Sequence, residues 1–255
     1  MRQLWLSAAI LVANVQPVLS ERLVLSLSNE RVQIASNFVG ENLVLFGVVE
    51  PDPGKTLRDD YDLVVTIAGP REIMRTRRKQ RVLGIWVNVD SREFVSVPSY
   101  LAVLSNRPVI EIADQETLRK LQIGLNYFLL PQRIGPDVAD TVADDPFRQA
   151  FVRLQRQQGL YRESSNAVTF LTPTVFRAAI AMPAAVPTGN YGIEVELFSQ
   201  GKLVARTNTA LEVIKAGFEQ YVADAARDHG LLYGMATALM ALMIGWFASV
   251  VFRRD

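Results

Sequence analysis

Side chains able to do acid–base, nucleophilic or metal chemistry are scarce in this chain of 255 residues. It has no cysteine and one histidine, His229. A thiolate nucleophile and a His/Cys zinc set are therefore both missing. A Ser–His–acid triad would have to run through His229, which stands beside a long apolar run and away from any shaped cleft. Asp59, Asp60 and Asp62 cluster around Tyr61, but without the Asp-X-Asp-X-Asp-Gly framework of a calcium loop, and read as a solvated loop. Among Asp140, Asp144 and Asp145, the last precedes Pro146 and reads as a helix N-cap. The segment GPREIMRTRRK lacks both the Gly-Lys-Ser/Thr ending and the following helix of a phosphate loop. The expectation is a non-catalytic protein with no cofactor and no metal site.

The most unusual polar feature is that same segment. Between Arg71 and Arg81 six basic residues stand against one acid. Arg75, Arg77, Arg78, Lys79 and Arg81 fall where a hairpin between strands is expected. Arginine offers planar bidentate donors, so one reading is contact with lipid headgroups, a small anion or an acidic partner surface. The other is a charged edge that resists sheet-to-sheet aggregation. The whole chain gives no guidance, with 27 basic and 26 acidic side chains.

The element that must position everything else is the last one. Leu231 to Phe252 runs 22 residues without a charge and is followed by Arg253, Arg254 and Asp255. A helix of this length reaches about 33 Å, enough to cross a hydrocarbon core. Within it Gly234, Ala238, Ala241, Gly245 and Ser249 form a stripe of small residues. Such a stripe would let another helix approach closely and is a candidate docking face. At the other end, residues 1–20 read as a signal peptide, with Arg2, the apolar run Leu4 to Val15 and Ser20 before Glu21. The expected topology is single-pass in a bacterial inner membrane, with the body in the periplasm and residues 253–255 in the cytoplasm. The absence of cysteine and of Asn-X-Ser/Thr sequons agrees with a periplasm, and that compartment excludes nucleic acid as a partner.

Residues 21–215 read as mainly β. Leu23, Leu25 and Leu27 alternate with Val24, Ser26 and Ser28, and Val32 and Ile34 repeat the period weakly. Asn42 to Val49 and Leu63 to Ala68 are apolar on both faces and read as central strands. Strands are also expected at Val82 to Val89, with a turn at Asp90-Ser91 before Phe94 to Val97, and at Tyr100 to Leu104. Two helices interrupt the pattern over about 113–160. One carries Leu118, Leu121, Leu125, Phe128 and Leu129 behind Asp114. The other carries Phe147, Ala150, Phe151 and Leu154 between Asp145 and Gly159. Val168 to Leu171 and Val175 to Met182 return to strand. Pro187-Thr188-Gly189-Asn190-Tyr191 then opens a strand on which Tyr191, Ile193, Val195 and Leu197 oppose Glu194 and Glu196, and Ser199 to Lys202 turns into the last strand. That corner is similar to the tyrosine corner of immunoglobulin-like domains. The expected architecture is an Ig-like β-sandwich with an inserted helical pair. A juxtamembrane helix over 216–230, with Phe218, Tyr221, Val222 and Ala225 on one face, leads to the C-terminal transmembrane helix.

The opening LVLSLSNERVQI, the middle GIWVNVDSREFVSVPSYLAVLSNRP, the corner PTGNYGIEVELF and the final span together resemble the Alph_Pro_TM family of alphaproteobacterial transmembrane proteins. The likeness covers nearly the whole chain, and Gly84-Ile85-Trp86-Val87-Asn88 is its most specific part. The resemblance carries no activity and no catalytic residues. It implies an accessory role beside a TauE/SafE-type anion exporter, with a membrane or periplasmic protein as partner.

Overall fold

A computed structural model describes residues 21–35, 38–51, 60–134, 137–217, 222 and 226–251. The body is mainly β. One sheet runs in the order β1 (Glu21–Leu27), β3 (Gly40–Pro51), β12 (Val175–Pro183), β11 (Val168–Phe170). The facing sheet runs β10 (Tyr161–Ser164), β7 (Leu101–Ser105), β4 (Tyr61–Ala68), β13 (Gly189–Ser199), β14 (Lys202–Lys215), β2 (Arg31–Ile34). This order is compatible with the ABED and CFG sheets of an immunoglobulin-like sandwich, the second extended at both sides.

Period-2 patterning builds the core between these sheets. Phe176, Ala178, Ile180 and Met182 of β12 face Tyr191, Ile193, Val195 and Leu197 of β13, all buried. The ring of Phe176 lies directly over its register partner Gly47, where a Cβ would come within 2.1 Å of the ring. Any larger residue at Gly47 would displace the Phe176 ring from its place in the core. The Tyr191 hydroxyl donates to the Pro187 carbonyl at 2.5 Å, tying the start of β13 back to its own corner.

A third sheet stands apart, in the order β5 (Arg71–Val82), β6 (Ile85–Pro98), β8 (Pro131–Ile134), β9 (Asp137–Asp140). The helices are α1 (Val109–Ile112), α2 (Gln115–Leu121), α3 (Pro146–Gln157) and the apolar α4 (Gly230–Val251). Two smaller cores join them to the sandwich. Phe94, Val97, Leu125, Phe128, Leu130, Phe147, Phe151 and Tyr161 pack between the base of β5–β6 and α3. On the outer face of the second sheet Val64, Val103 and Phe198 pack against Val109, Ile112, Leu118 and Ile123.

Several local expectations change. The segment over about 113–160 is not only a helical pair, because β8 and β9 lie within it and extend the sheet of the hairpin. Its first helix stops at Leu121, where Gln122 at φ 58° and Gly124 at φ 97° turn the backbone left-handed. Leu125 and Phe128 are buried from irregular chain instead. On α3 the N-cap is Asp145, which accepts from the Phe147 and Arg148 amides. Its buried face holds Phe147, Arg148, Phe151 and Gln155, leaving Leu154 exposed. β4 is buried on both faces, whereas β3 turns Phe46 and Val48 outward, where no described residue covers its sheet. The turn expected at Asp90-Ser91 is an irregularity inside one continuous strand, where Arg78 and Lys79 are opposite Asp90 and Asn88 and Val89 is the extra residue. The expected signal peptide, Asp59, residues 218–221 and 223–225 of the expected juxtamembrane helix, and residues 252–255 lie outside the described residues.

Candidate functional site

The basic run is not the bend of a hairpin but its first strand. β5 and β6 pair antiparallel from Arg71↔Pro98 to Val82↔Ile85 and turn at Leu83-Gly84. Both turn residues have positive φ, 50° and 88°, the backbone of a tight two-residue hairpin turn. Alternation along β5 places Met74 and Thr76 on one face with Phe94 and Arg92. Arg75, Arg77, Lys79 and Arg81 lie on the other, opposite Glu93, Ser91, Asn88 and Trp86.

The base of the hairpin is rigidly held. Phe94 is fully buried, its ring centroid 5.0 Å from that of Phe151 on α3. Gln155 donates to the Met74 sulfur at 3.2 Å, and the Tyr161 hydroxyl donates to the Pro98 carbonyl at 2.6 Å. Burial raises the Tyr161 phenol well above its ordinary range, so it stays a donor. The Arg92 guanidinium lies 5.1 Å from the centre of the Phe147 ring.

Beyond Thr76 every β5 residue is exposed, as is β6 from Ile85 to Val89. The tip is apolar. Leu83 is 99% exposed, Trp86 68% and Ile85 67%, with Val82 and Val87 also exposed. The charges behind it divide into two sets. Arg75 and Arg133 hold Glu93 at 2.6 and 3.1 Å, and Arg78 and Arg92 lie 3.9 and 4.0 Å from Asp90. The Arg75 hydrogen bond, with the charge of Arg133, draws Glu93 below the ordinary carboxylate range. Arg77 and Lys79 have no ion pair with any described residue, and Arg81 donates only to the Gly84 carbonyl at 3.2 Å. Of the five basic residues singled out in the sequence, Arg77, Lys79 and Arg81 thus share one face with charge to spare, and Arg75 is neutralised there. Arg78 lies on the opposite face.

A second concavity, of about 1120 Å³, opens beside α3 and is lined by Arg119, Arg148, Arg153, Arg156, Asp140 and Asp144, among others. Its buried cation is already committed. Arg148 donates to the Phe128 carbonyl at 2.7 Å, the Asn126 carbonyl at 3.3 Å and the Thr141 hydroxyl at 3.2 Å. Asp62 is likewise occupied, accepting from Arg107 Nε at 2.6 Å and from Asn106 at 3.1 Å. No group of three or more potential ligands stands where a metal could be held among the described residues. Gly234, Ala238, Ala241, Gly245 and Ser249 all lie exposed on α4, as does His229 just before it.

Sequence reasoning missed two features. The apolar run Val82 to Val89 reads as an ordinary strand, although Leu83-Gly84 between Val82 and Ile85-Trp86 forms a turn. Glu196 was placed on an outward face, yet it is buried, because Phe198 and the α1–α2 segment cover that face of the sheet.

A β-sandwich carrying a separate, apolar helix long enough to cross a bilayer over Gly230–Ser249 defines a membrane protein with a folded β body. The family model described as "Putative transmembrane protein (Alph_Pro_TM)" matches residues 22–254, and the chain belongs to that family. No curated protein matches it.

Proposed function

We propose that this is a non-catalytic, single-pass inner-membrane protein that presents an Ig-like domain in the periplasm to a membrane or periplasmic partner. The observation that carries the reading is the β5–β6 hairpin, whose base is packed under α3 while residues 77–89 stand free. Folding needs the base, and no described residue of the body covers the rest. A membrane protein partner, such as an anion exporter served as an accessory, would meet this hairpin, the small-residue stripe of α4, or both. A second reading is binding of a small anion or lipid headgroup through the hairpin, favoured by the unpaired Arg77, Lys79 and Arg81.

A photocrosslinking residue in place of Lys79, introduced in native membranes, tests these readings. Capture of one protein supports the partner, and capture of lipid supports the anion reading. Capture of neither would overturn both. Orientation is checked by reporter fusions active only in the periplasm, expected to be active after Ala216 and silent after Asp255.

A further inference from the structure

We propose that the hairpin tip, Val82-Leu83-Gly84-Ile85-Trp86, is a wedge that enters an anionic lipid bilayer, with Lys79 and Arg81 seated among the headgroups. The inference rests on the anion reading above and deepens it. It names the anion as a lipid surface and adds an apolar contact that a free anion does not make.

The residue at the apex is the wrong one for a solvated turn. Leu83 holds φ 50°, a left-handed backbone in which asparagine, aspartate and glycine are favoured, and its side chain is 99% exposed. Neither the turn nor the packing of the body calls for leucine. Ile85 and Trp86 follow at once and are also exposed, so the apolar surface is contiguous rather than scattered. Tryptophan is the side chain enriched at the boundary between headgroups and hydrocarbon.

Charge sits at the matching depth. Strand rise places Arg81 and Lys79 roughly 5 to 15 Å behind the apex, and Arg77 about 20 Å behind it. Surface-bound apolar segments bury about 5 to 10 Å into the headgroup and acyl boundary. With the tip at that depth, Arg81 and Lys79 lie in the headgroup layer and Arg77 just above it, within reach of a negative surface potential. Of the hairpin cations, Arg75, Arg78 and Arg92 have carboxylate neighbours, whereas Arg77, Lys79 and Arg81 have none among the described residues.

The fold delivers the hairpin to the correct end of the body. β4 leads into it through Gly69-Pro70, and Pro70 packs on Gly189 at the start of β13, 2.9 Å from where a Cβ would be. Gly189 is the register partner of Val213 on β14, two residues before that strand ends at Lys215. The hairpin and the chain heading for the span therefore leave the same end of the sandwich. β5 has 12 residues and rises roughly 40 Å.

The test uses the full chain in vesicles of phosphatidylcholine with or without phosphatidylglycerol. Because the chain has no cysteine, Leu83→Cys, Asn88→Cys and Gln200→Cys can each carry one environment-sensitive fluorophore. Gln200 lies in the turn at the opposite end of the sandwich and serves as the aqueous control. In anionic vesicles the Leu83 label should shift to the blue, be quenched by lipid-borne nitroxide and lose severalfold in quenching by aqueous iodide. The Asn88 label should lose part of its iodide accessibility, and the Gln200 label should not change. Arg77→Gln with Lys79→Gln and Arg81→Gln should reverse these changes severalfold, and inorganic phosphate alone should not produce them. A response at Asn88 without nitroxide quenching at Leu83 would overturn the wedge and leave headgroup binding standing. No response at either position would overturn both. A blue shift at Leu83 without nitroxide quenching would mean that a second copy covers the tip, and would also overturn the wedge.

Discussion

Two hairpins of this chain share a turn and differ in almost everything else. β13–β14 turns at Gln200-Gly201 with φ 52° and 79°, and β5–β6 at Leu83-Gly84 with φ 50° and 88°. In the first, every second residue of β13 enters the sandwich core, and the strand on either side is paired. In the second, alternation serves packing only as far as Met74, Thr76 and Phe94, and beyond them both faces meet solvent. Equal backbone geometry thus supports a structural ribbon and a presented one. What separates them is where apolar side chains are spent: on the core in β13, at the apex in β5–β6. Their acid–arginine neighbours diverge for the same reason. Glu93 on the exposed ribbon is drawn below the ordinary range by Arg75, whereas burial pushes Glu196 on β13 up to about 8, helped by Glu194 and opposed by Arg206.

The contrast is broken most forcefully at the base of the presented hairpin. Phe94→Ala removes a fully buried ring packed on Phe151, and should cost about 3–5 kcal/mol in denaturant unfolding. A loss below about 1 kcal/mol would mean that the hairpin is not anchored where its packing places it.

The next effect is a pH dependence confined to the structural ribbon. Folded Glu196 holds a proton that the unfolded chain releases near pH 4.5, so stability should fall as pH rises from about 4.5 to about 8 and then level off. The slope is at most about 1.4 kcal/mol per pH unit, and Glu196→Gln should flatten it. Glu93 has the opposite sign, its small contribution being lost as pH falls through its lowered pKa. An unfolding series from pH 4 to pH 9 that Glu196→Gln leaves unaltered would contradict the burial argument.

Tyr191→Phe leaves the ring in the core and removes the bond to the Pro187 carbonyl, and should cost about 1–2 kcal/mol. The smallest change has the reverse sign. Leu83→Asn supplies a residue that tolerates the left-handed turn, so unfolding should be unaffected or stabilised by up to about 1 kcal/mol. A clear destabilisation would show that Leu83 serves the fold.

Legibility followed the same division. Strands that bury one face, such as β12 and β13, declare themselves by period-2 patterning, and the Pro187–Tyr191 corner by its residue types. β5 escaped because a strand exposed on both faces has no apolar period, and REIMRTRRKQRV reads as a loop. Leu125 and Phe128 imitated a helical period because burial from irregular chain can fall at the same spacing. The burial of Glu196 depends on α1 and α2 covering the sheet, a contact between segments far apart in sequence. The basic residues were visible as a group, but only the pairing register separates Arg77, Lys79 and Arg81 from Arg75 and Arg78.

The central claim is that one hairpin is structural at its base and presented at its tip. Amide hydrogen exchange of the full chain, in bilayers with and without phosphatidylglycerol, reads both halves at once. Amides around Met74 and Phe94 should exchange slowly in both bilayers, and those from Val82 to Trp86 slowly only where anionic lipid is present. Tip amides that exchange equally fast in both, or base amides as fast as the tip, would contradict it.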